Sequence, residues 1–448
     1  MRANRERLLL RGRGAERGSV LIIVIWVCLG LVSLTFYFAN EMSNELRASD
    51  HRAAEVTARQ AAAGGLRYAA FILEQFATGG TVPHRDDYRA EEVPVGDAYV
   101  WFLGRDPGQR PTPDPVFGLV DESSKLNLNT ATRGMLEMLP GMTTELAEAI
   151  VAWRSRNQAG TGDSTYGRLE PPRLNKASNF ETVDELRLVY GATLAILLGE
   201  DTNRNGLLDE NENDGDGTAP RDNPDGLLEP GILEYVTVYS RQPNTRANGA
   251  RRINITTAQT RGQLAPLLQQ RFGGQRAAQI LGAVGTGALR SVAEFMVVGR
   301  LTTEEYAQIR GDISASSAAT VQGLINVNTA SETVLACIPG IGPENAPALV
   351  AYRLANPDVL SSLAWLTQVL DRGAIVRAGP YITDQSYQFT ADVVAVAASG
   401  RGACRQRTVF DLSAGAPRAV YHQELSDYGW ALGVNRRGSL RETRENRL

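Results

Sequence analysis

The strongest constraint on this chain is a run of 23 residues, 18–40, without a single charged side chain: GSVLIIVIWVCLGLVSLTFYFAN. About 20 residues of helix cross the hydrocarbon core of a bilayer, so 19–39 read as a membrane span. The 18 residues before it hold six arginines and two glutamates, and no matching basic cluster follows. That asymmetry places the N-terminus in the cytoplasm. The run is too long for a cleaved secretory signal and lacks an A-x-A site. Residues 44–74, rich in Ala, Glu, Arg and Leu, continue it without a break. Composition and spacing therefore predict one helix of roughly 55 residues, half in lipid and half in water, interrupted at most at Gly64-Gly65.

The remainder has an ordinary globular composition, 43% hydrophobic and 21% charged over 448 residues, enough for several domains. The net charge of −4 conceals a leader at +4 and a segment, 200–234, where eleven acids face only Arg204 and Arg221. Catalytic signatures are missing. Cys28, Cys337 and Cys404 are far apart and show no zinc spacing. His51, His84 and His422 sit in no recognisable nucleophile elbow, and two lysines, Lys125 and Lys176, leave no room for a Walker loop. The chain reads as a non-enzyme.

The acidic segment opens with DTNRNGLLDENE at 201–212. Scored as a twelve-residue calcium loop, it places Asp201, Asn203 and Asn205 at positions one, three and five. Gly206 falls at the sharp turn, the Leu207 carbonyl at seven, Asp209 at nine and Glu212 at the bidentate twelfth position. Residues 171–198 contain an entering helix, whereas 213–230 are too rich in Asp, Gly and Pro for a leaving one. A structural Ca²⁺ is expected here, and a second ion on Asp214, Asp216, Asp222 and Asp225 is a candidate whose spacing fits no template. Cys337 and Cys404 are a candidate disulfide pair if both are periplasmic, although the apolar neighbours of Cys337 suit a buried free thiol.

Three segments, 125–154, 252–281 and 324–353, align with one another. Each starts with a short alternating stretch and N-x-T-A or a variant, then two helices joined by a glycine turn, clearest in Pro339-Gly340-Ile341-Gly342. Asn129, Thr130, Asn328 and Thr329 are expected to cap the first helix of each unit. Such helix-hairpin-helix units often hold DNA phosphates on glycine amides. Here Glu145 and Glu344 occupy the places where cations would be needed, and Arg271 and Arg276 flank Gly273-Gly274 without the G-x-G turn. The pattern argues for protein packing and against nucleic acid. Strands are predicted at 98–103, 116–120, 235–239, 387–397 and 404–412.

The Arg17-Gly18 step before a hydrophobic helix resembles the type IV prepilin and pseudopilin class. The resemblance implies cleavage between Gly18 and Ser19 by a prepilin peptidase, and methylation. Where that class carries glutamate at the fifth mature position, this chain has Ile23. Lack of that glutamate, the VLIIVIWV run with Trp26, and the stretches DESSKLNLNTA (121–131), NFETVDEL (179–186) and YVTVYS (235–240) make the chain similar to the type II secretion system protein K family of minor pseudopilins. An unpaired carboxylate at the bilayer centre costs about 2.5–3.5 kcal/mol on insertion scales, so a subunit with no neighbour above it is better served by an apolar residue.

The fold implied is α+β: a pseudopilin fold with a long N-terminal helix packed on a small antiparallel sheet and an inserted helical domain of helix-hairpin-helix-like repeats. The expected division is leader 1–18, span 19–39, periplasmic helix 40–78 and first strands 94–124. The inserted domain follows at 125–232, then strands 233–256, further repeats 257–382, and C-terminal strands and tail 383–448. The implied partners are minor pseudopilins of the protein I and J type, the major pseudopilin, the inner-membrane assembly platform, the prepilin peptidase and inner-membrane lipid. The alternatives are a periplasmic DNA receptor or minor type IV pilin for DNA uptake, and a signal-anchored calcium-binding protein outside any filament.

Overall fold

A computed structural model of the chain describes residues 17–105, 115–155, 166–168, 170–172, 175–360, 362–433 and 436. Residues 1–16, with Arg11 and Arg13 of the leader, and the tail 437–448 lie outside them. The expected N-terminal helix is present as Arg17–Phe76, 60 residues without interruption. Its apolar half, from Val20 onward, is exposed. It is a helix long and apolar enough to cross a membrane. The helix first meets the body where Asp50 pairs with Arg401 at 2.7 Å and Ala54 becomes buried, so roughly 30 residues, some 45 Å at 1.5 Å per residue, extend beyond it.

From Ala54 onward the helix meets the sheet through small residues. Ala54, Ala58, Ala61, Ala62 and Ala69 are buried, followed by Ile72 and Leu73; near-fourfold spacing keeps them on one face. Gly64 and Gly65 break nothing. A Cβ on Gly65 would lie 2.8 Å from Val100 Cγ1 and 2.9 Å from Val393 Cγ1, and one on Gly64 2.7 Å from Val95 Cγ1. The glycines are what permit the close approach of helix and sheet.

The sheet is antiparallel and runs in the order Val93–Val95, Ala98–Phe102, Gln388–Ala397, Ala403–Asp411, Arg418–Glu424. Val120–Asp121 pairs with the start of the central strand, Asp121 opposite Phe389. The central strand is buried along all ten residues, because the helix covers one face while Ala431, Leu432 and the half-buried Trp430 pack on Trp101, Val394 and Val396 across the other. Arg418–Glu424 and Val93–Val95 add two strands beyond those read from the sequence. The architecture is α+β, a long helix on an antiparallel sheet with a helical domain inserted between its strands, which is the layout the pseudopilin resemblance implies.

The inserted domain is a threefold repeat, and each unit is larger than the aligned segments. A unit opens and closes with a two-residue parallel strand pair: Leu126–Asn127 with Val236–Thr237, Ile253–Asn254 with Ile313–Ser314, and Ile325–Asn326 with Ile382–Thr383. Between the paired strands run two helical hairpins rather than one. The expected strand block 233–256 is thus divided. Val236–Thr237 closes the first unit, Arg241–Pro243 pairs antiparallel with Thr320–Gln322 as a stem for the second, and Ile253–Asn254 opens that second unit. The first and third units share one core, containing Leu126, Ile150, Trp153 and Phe180 beside Ile325, Ile341, Leu349 and Trp365. The second has its own around Ile255, Leu268, Ile280, Phe295 and Ile309, sends Ala293, Met296 and Tyr306 into the shared one, and is tied to the third by Arg310 on Asp384 (3.1 Å) and Arg252 on Gln385 (3.1 Å).

The expected caps are corrected. Thr132 and Ser331 cap the first helices, accepting from the amides of Met135 and Val334. The helices start later because Asn127 and Asn326 form turns, their Oδ1 atoms accepting from the amides of Asn129 and Asn328. That frees Asn129 to bridge the backbone of Phe180 on both sides, and Asn328 Oδ1 to accept from Trp365 Nε1. Each asparagine fastens the second hairpin of its own unit to the first. The aligned arginines close the same turn, Arg353 donating to the carbonyls of Val327 and Ala330 and Arg154 to those of Leu128 and Ala131.

Gly65→Leu should destabilise the body by about 1–3 kcal/mol through overpacking, although leucine is the better helix former. Urea unfolding of the detergent-solubilised chain measures this. Unchanged or raised stability would show that helix and sheet are not in close contact there.

Candidate metal centre

Residues 201–212 form a loop with a pinched neck. Helix Leu194–Leu198 leads into it and ends at Gly199 with φ +61°. The Glu200 amide donates to the Glu229 carbonyl (3.0 Å) and the Gly231 amide to the Leu198 carbonyl (2.8 Å). Glu200 also accepts the amides of Asn223 and Glu229. As expected, a helix enters, while 213–230 hold turns and no helix.

The predicted ligand residues converge. Asp201 accepts the amides of Asn205 (2.9 Å) and Gly206 (3.0 Å), one on each carboxylate oxygen, and Gly206 makes the sharp turn at φ +74°. The amide nitrogens of Asn203 and Asn205 both donate to Asp209 Oδ2, at 2.7 and 2.9 Å. Glu212, fully buried, accepts from the Thr202 amide with one oxygen and from the Asp209 amide with the other, both at 3.2 Å. The Leu207 amide donates to Asn205 Oδ1, and the Leu207 side chain is buried beneath the loop.

Among the described residues no group of three His, Cys, Asp or Glu side chains stands ready to hold a metal by itself. This loop draws instead on mixed oxygens: the carboxylates of Asp201, Asp209 and Glu212, the amide oxygens of Asn203 and Asn205, and the Leu207 carbonyl. Mixed oxygen donors in a flexible loop are the chemistry of Ca²⁺, and the donor set fits it. Charge points the same way. Burial, with Asp201 and Asp209 nearby, pushes the Glu212 carboxyl up to about 8, and burial raises Asp201 against the pull of Arg105. A cation sharing the site would favour the ionised forms of Asp201 and Glu212.

The second candidate set is not gathered. Asp214 accepts from Thr218, Asp222 from the Gly215 amide, and Asp225 from the Leu227 amide, while exposed Asp216 faces Arg221 at 3.6 Å. Each carboxylate serves its own turn. The candidate disulfide is also corrected. Cys337 is a free thiol in the core of the first and third repeats, donating to the Thr333 carbonyl, with burial pushing its pKa up to about 12. Cys404 is a free thiol between the sheet and the long helix. The two belong to separate cores. The cleavage pair Gly18 and Ser19 lies in the first turn of the N-terminal helix.

Two clusters escaped the sequence reading. Asp121 accepts from Ser386 (2.6 Å), Thr329 (2.5 Å) and Asn326 (3.3 Å), and burial lifts its carboxyl to about 6. Neighbouring Glu122 accepts from Thr237 (2.5 Å), Thr390 (2.6 Å) and Lys125 (3.1 Å). Burial would raise it, but Lys125 and the two hydroxyls outweigh burial and hold it below its ordinary value. The other cluster is Asp392 with Arg405 and Arg407 on the sheet face toward the acidic loop. A lone aspartate in one apolar strand opposite R-x-R in the next, Asp392 across from Arg407, is a sequence signal for it.

The hairpin turn of the third unit is packed, whereas a Cβ on Gly141, Gly273 or Gly274 in the other two would meet nothing within 4 Å. A Cβ on Gly340, at φ +94°, would meet the Ala374 carbonyl at 2.6 Å and Arg377 Cβ at 2.7 Å, both on the unit's second hairpin.

No protein-family model matches the chain, and no curated protein matches it. Among solved structures, a chain of the crystal structure of the GspK-GspI-GspJ complex from the enterotoxigenic Escherichia coli type 2 secretion system is similar at a TM-score of 0.37 and 11% identity, over 82% of this chain and 95% of that one. Nothing about activity follows from a likeness at that level.

The pKa of Glu212 makes a signed prediction. A carboxyl raised above its unfolded value of 4.5 contributes stability at low pH that is lost as pH rises through the folded value of about 8. In excess chelator the melting temperature should therefore fall between about pH 5 and pH 9. Added calcium, which needs the carboxylate, should stabilise more as pH rises. Glu212→Gln should flatten both responses. A melting temperature indifferent to calcium at every pH would remove the metal reading.

Proposed function

We propose that the chain is a minor pseudopilin of a type II secretion system, placed at the pseudopilus tip, where it helps to cap and initiate the filament for protein export across the outer membrane. The observation that carries this reading is the division of the N-terminal helix. Its first part exposes an uninterrupted apolar surface, while its second part is fixed to the sheet by alanines and glycines. A helix built this way anchors in lipid and packs against similar helices while carrying a folded body. Ile23, exposed within the apolar stretch, suits a subunit with no neighbour above it to pair a carboxylate.

In this reading the chain is a single-pass inner-membrane protein, N-terminus in the cytoplasm and body in the periplasm. The prepilin peptidase removes residues 1–18. The partners are minor pseudopilins of the I and J type, the major pseudopilin and the assembly platform. Ca²⁺ in loop 201–212 is structural; when bound it supplies positive charge beside the buried carboxylates of Asp201 and Glu212. Asp201 and Glu212 order the loop backbone, and Asn203 and Asn205 position Asp209. Packing of the Gly340 turn against the second hairpin of its unit supports a packing role over a phosphate-binding one for the third repeat.

Processing tests the proposal. A prepilin peptidase should shorten the full chain to one beginning at Ser19, read by intact mass, and Gly18→Leu should abolish the shift. A chain left intact by an active peptidase would point to a signal-anchored protein outside any filament.

A further inference from the structure

The acidic loop has two faces. Its side chains turn inward toward one another, whereas the carbonyls of Asn203 and Arg204 turn outward to the sheet. Arg204, between ligand positions Asn203 and Asn205, takes the left-handed backbone at φ +58°, unusual for a residue with a long side chain. Three sheet-side arginines meet those carbonyls. Arg405 donates to Asn203 and to Arg204, both at 2.7 Å; Arg407 donates to Arg204 at 3.1 Å and Arg105 to Arg204 at 3.2 Å.

The arginines are themselves held rigidly. Arg405 is bidentate on Asp392 at 2.9 and 2.7 Å, and Arg407 reaches the same carboxylate at 3.0 and 2.5 Å. Arg105 donates to Glu234 at 2.7 Å, and its guanidinium fills the place of a Cβ on Gly206, 2.7 Å away. The side chains of Arg405 and Asp392 are each 2% exposed. A guanidinium so deeply buried, once deprived of its carbonyl acceptors, keeps donors that no water satisfies. Loop conformations that withdraw those carbonyls are therefore incompatible with the docked sheet.

We infer that cation binding in loop 201–212 latches the first helical repeat onto the sheet, with Arg105, Arg405 and Arg407 as positioning residues that sense the loop through its Asn203 and Arg204 carbonyls. This rests on the calcium reading above and adds a coupling to it. The same ordering of the loop that gathers its oxygens presents its carbonyls to the arginines. By reciprocity, whatever docking gains from the cation, cation binding gains from docking. Without the cation, the oxygens of Asp201, Asp209 and Glu212 lose the centre they converge on, and the loop loosens. The first repeat then stays joined at the Asp121–Glu122 end and is released at the loop end.

The test uses the full chain in detergent with Cys28→Ser and spin labels at Leu188→Cys and Val420→Cys, both exposed and on opposite sides of the docked contact. With calcium the distance distribution should be narrow, and with chelator broad. Arg405→Gln with Arg407→Gln should leave it broad in both conditions and weaken calcium binding about tenfold by calorimetry, although all six ligand residues remain. A merely structural role for the arginines would lower stability and leave calcium affinity alone. Should the double variant fail to fold, Arg105→Gln, at a partly exposed position, should still weaken calcium binding several-fold. Calcium binding in the parent chain with identical distributions in both conditions, or with affinity unchanged in the folded arginine variants, would overturn the latch and leave the calcium reading standing. Failure of the parent chain to bind calcium would overturn both.

Discussion

Two adjacent buried acids, Asp121 and Glu122, stand where the chain leaves the sheet for the inserted domain, and the placement of everything beyond them depends on the hydroxyls they collect. Asp121 holds the opening strand of the third repeat through Asn326, and the link from its closing strand to the central strand of the sheet through Ser386. Glu122 holds the closing strand of the first repeat through Thr237 and the central strand of the sheet through Thr390. A buried carboxylate is costly unless hydrogen-bonded, and here each is bonded by groups from distant parts of the chain. The penalty for leaving either acid unpaired therefore becomes a penalty for misplacing a repeat.

The same device recurs at the other end of the first repeat, with Asp392 and its two arginines gripping the acidic loop by its backbone. Between these two polar anchors the contacts are apolar and close. The Ala–Gly stripe of the N-terminal helix admits the valines of the sheet. The shared core of the first and third repeats makes them one body, to which the second is attached by Ala293, Met296 and Tyr306 in that core, by its antiparallel stem and by Arg252 and Arg310.

Much of this was legible in the residues, and what was not shares a physical cause. The apolar run, the helix that continues it and the spacing of the acidic loop are local patterns, and they appear where the sequence puts them. The first hairpin of each repeat was legible through its asparagine and glycine punctuation. The second hairpins were missed because Val183–Leu188, Val292–Val298 and Ala364–Gln368 carry no common turn residue. The closing strands are two residues long, too short for periodicity to register. Asn129 and Asn328 suit helix caps by residue type alone; their actual partners, Phe180 and Trp365, are brought there by tertiary structure. The grip on the acidic loop runs through main-chain carbonyls, which no pattern of side chains reveals.

The proposed account is of an assembly subunit in which an exposed apolar helix carries a helical body placed by buried acids. Its central claim is association with other pseudopilins. The most direct measurement is size-exclusion chromatography with light scattering on the full chain in detergent, mixed with soluble parts of minor pseudopilins of the I and J type. The account predicts a stable ternary complex. Separate elution of all three proteins, together with tight and steeply salt-dependent binding of duplex DNA by this chain, would contradict it.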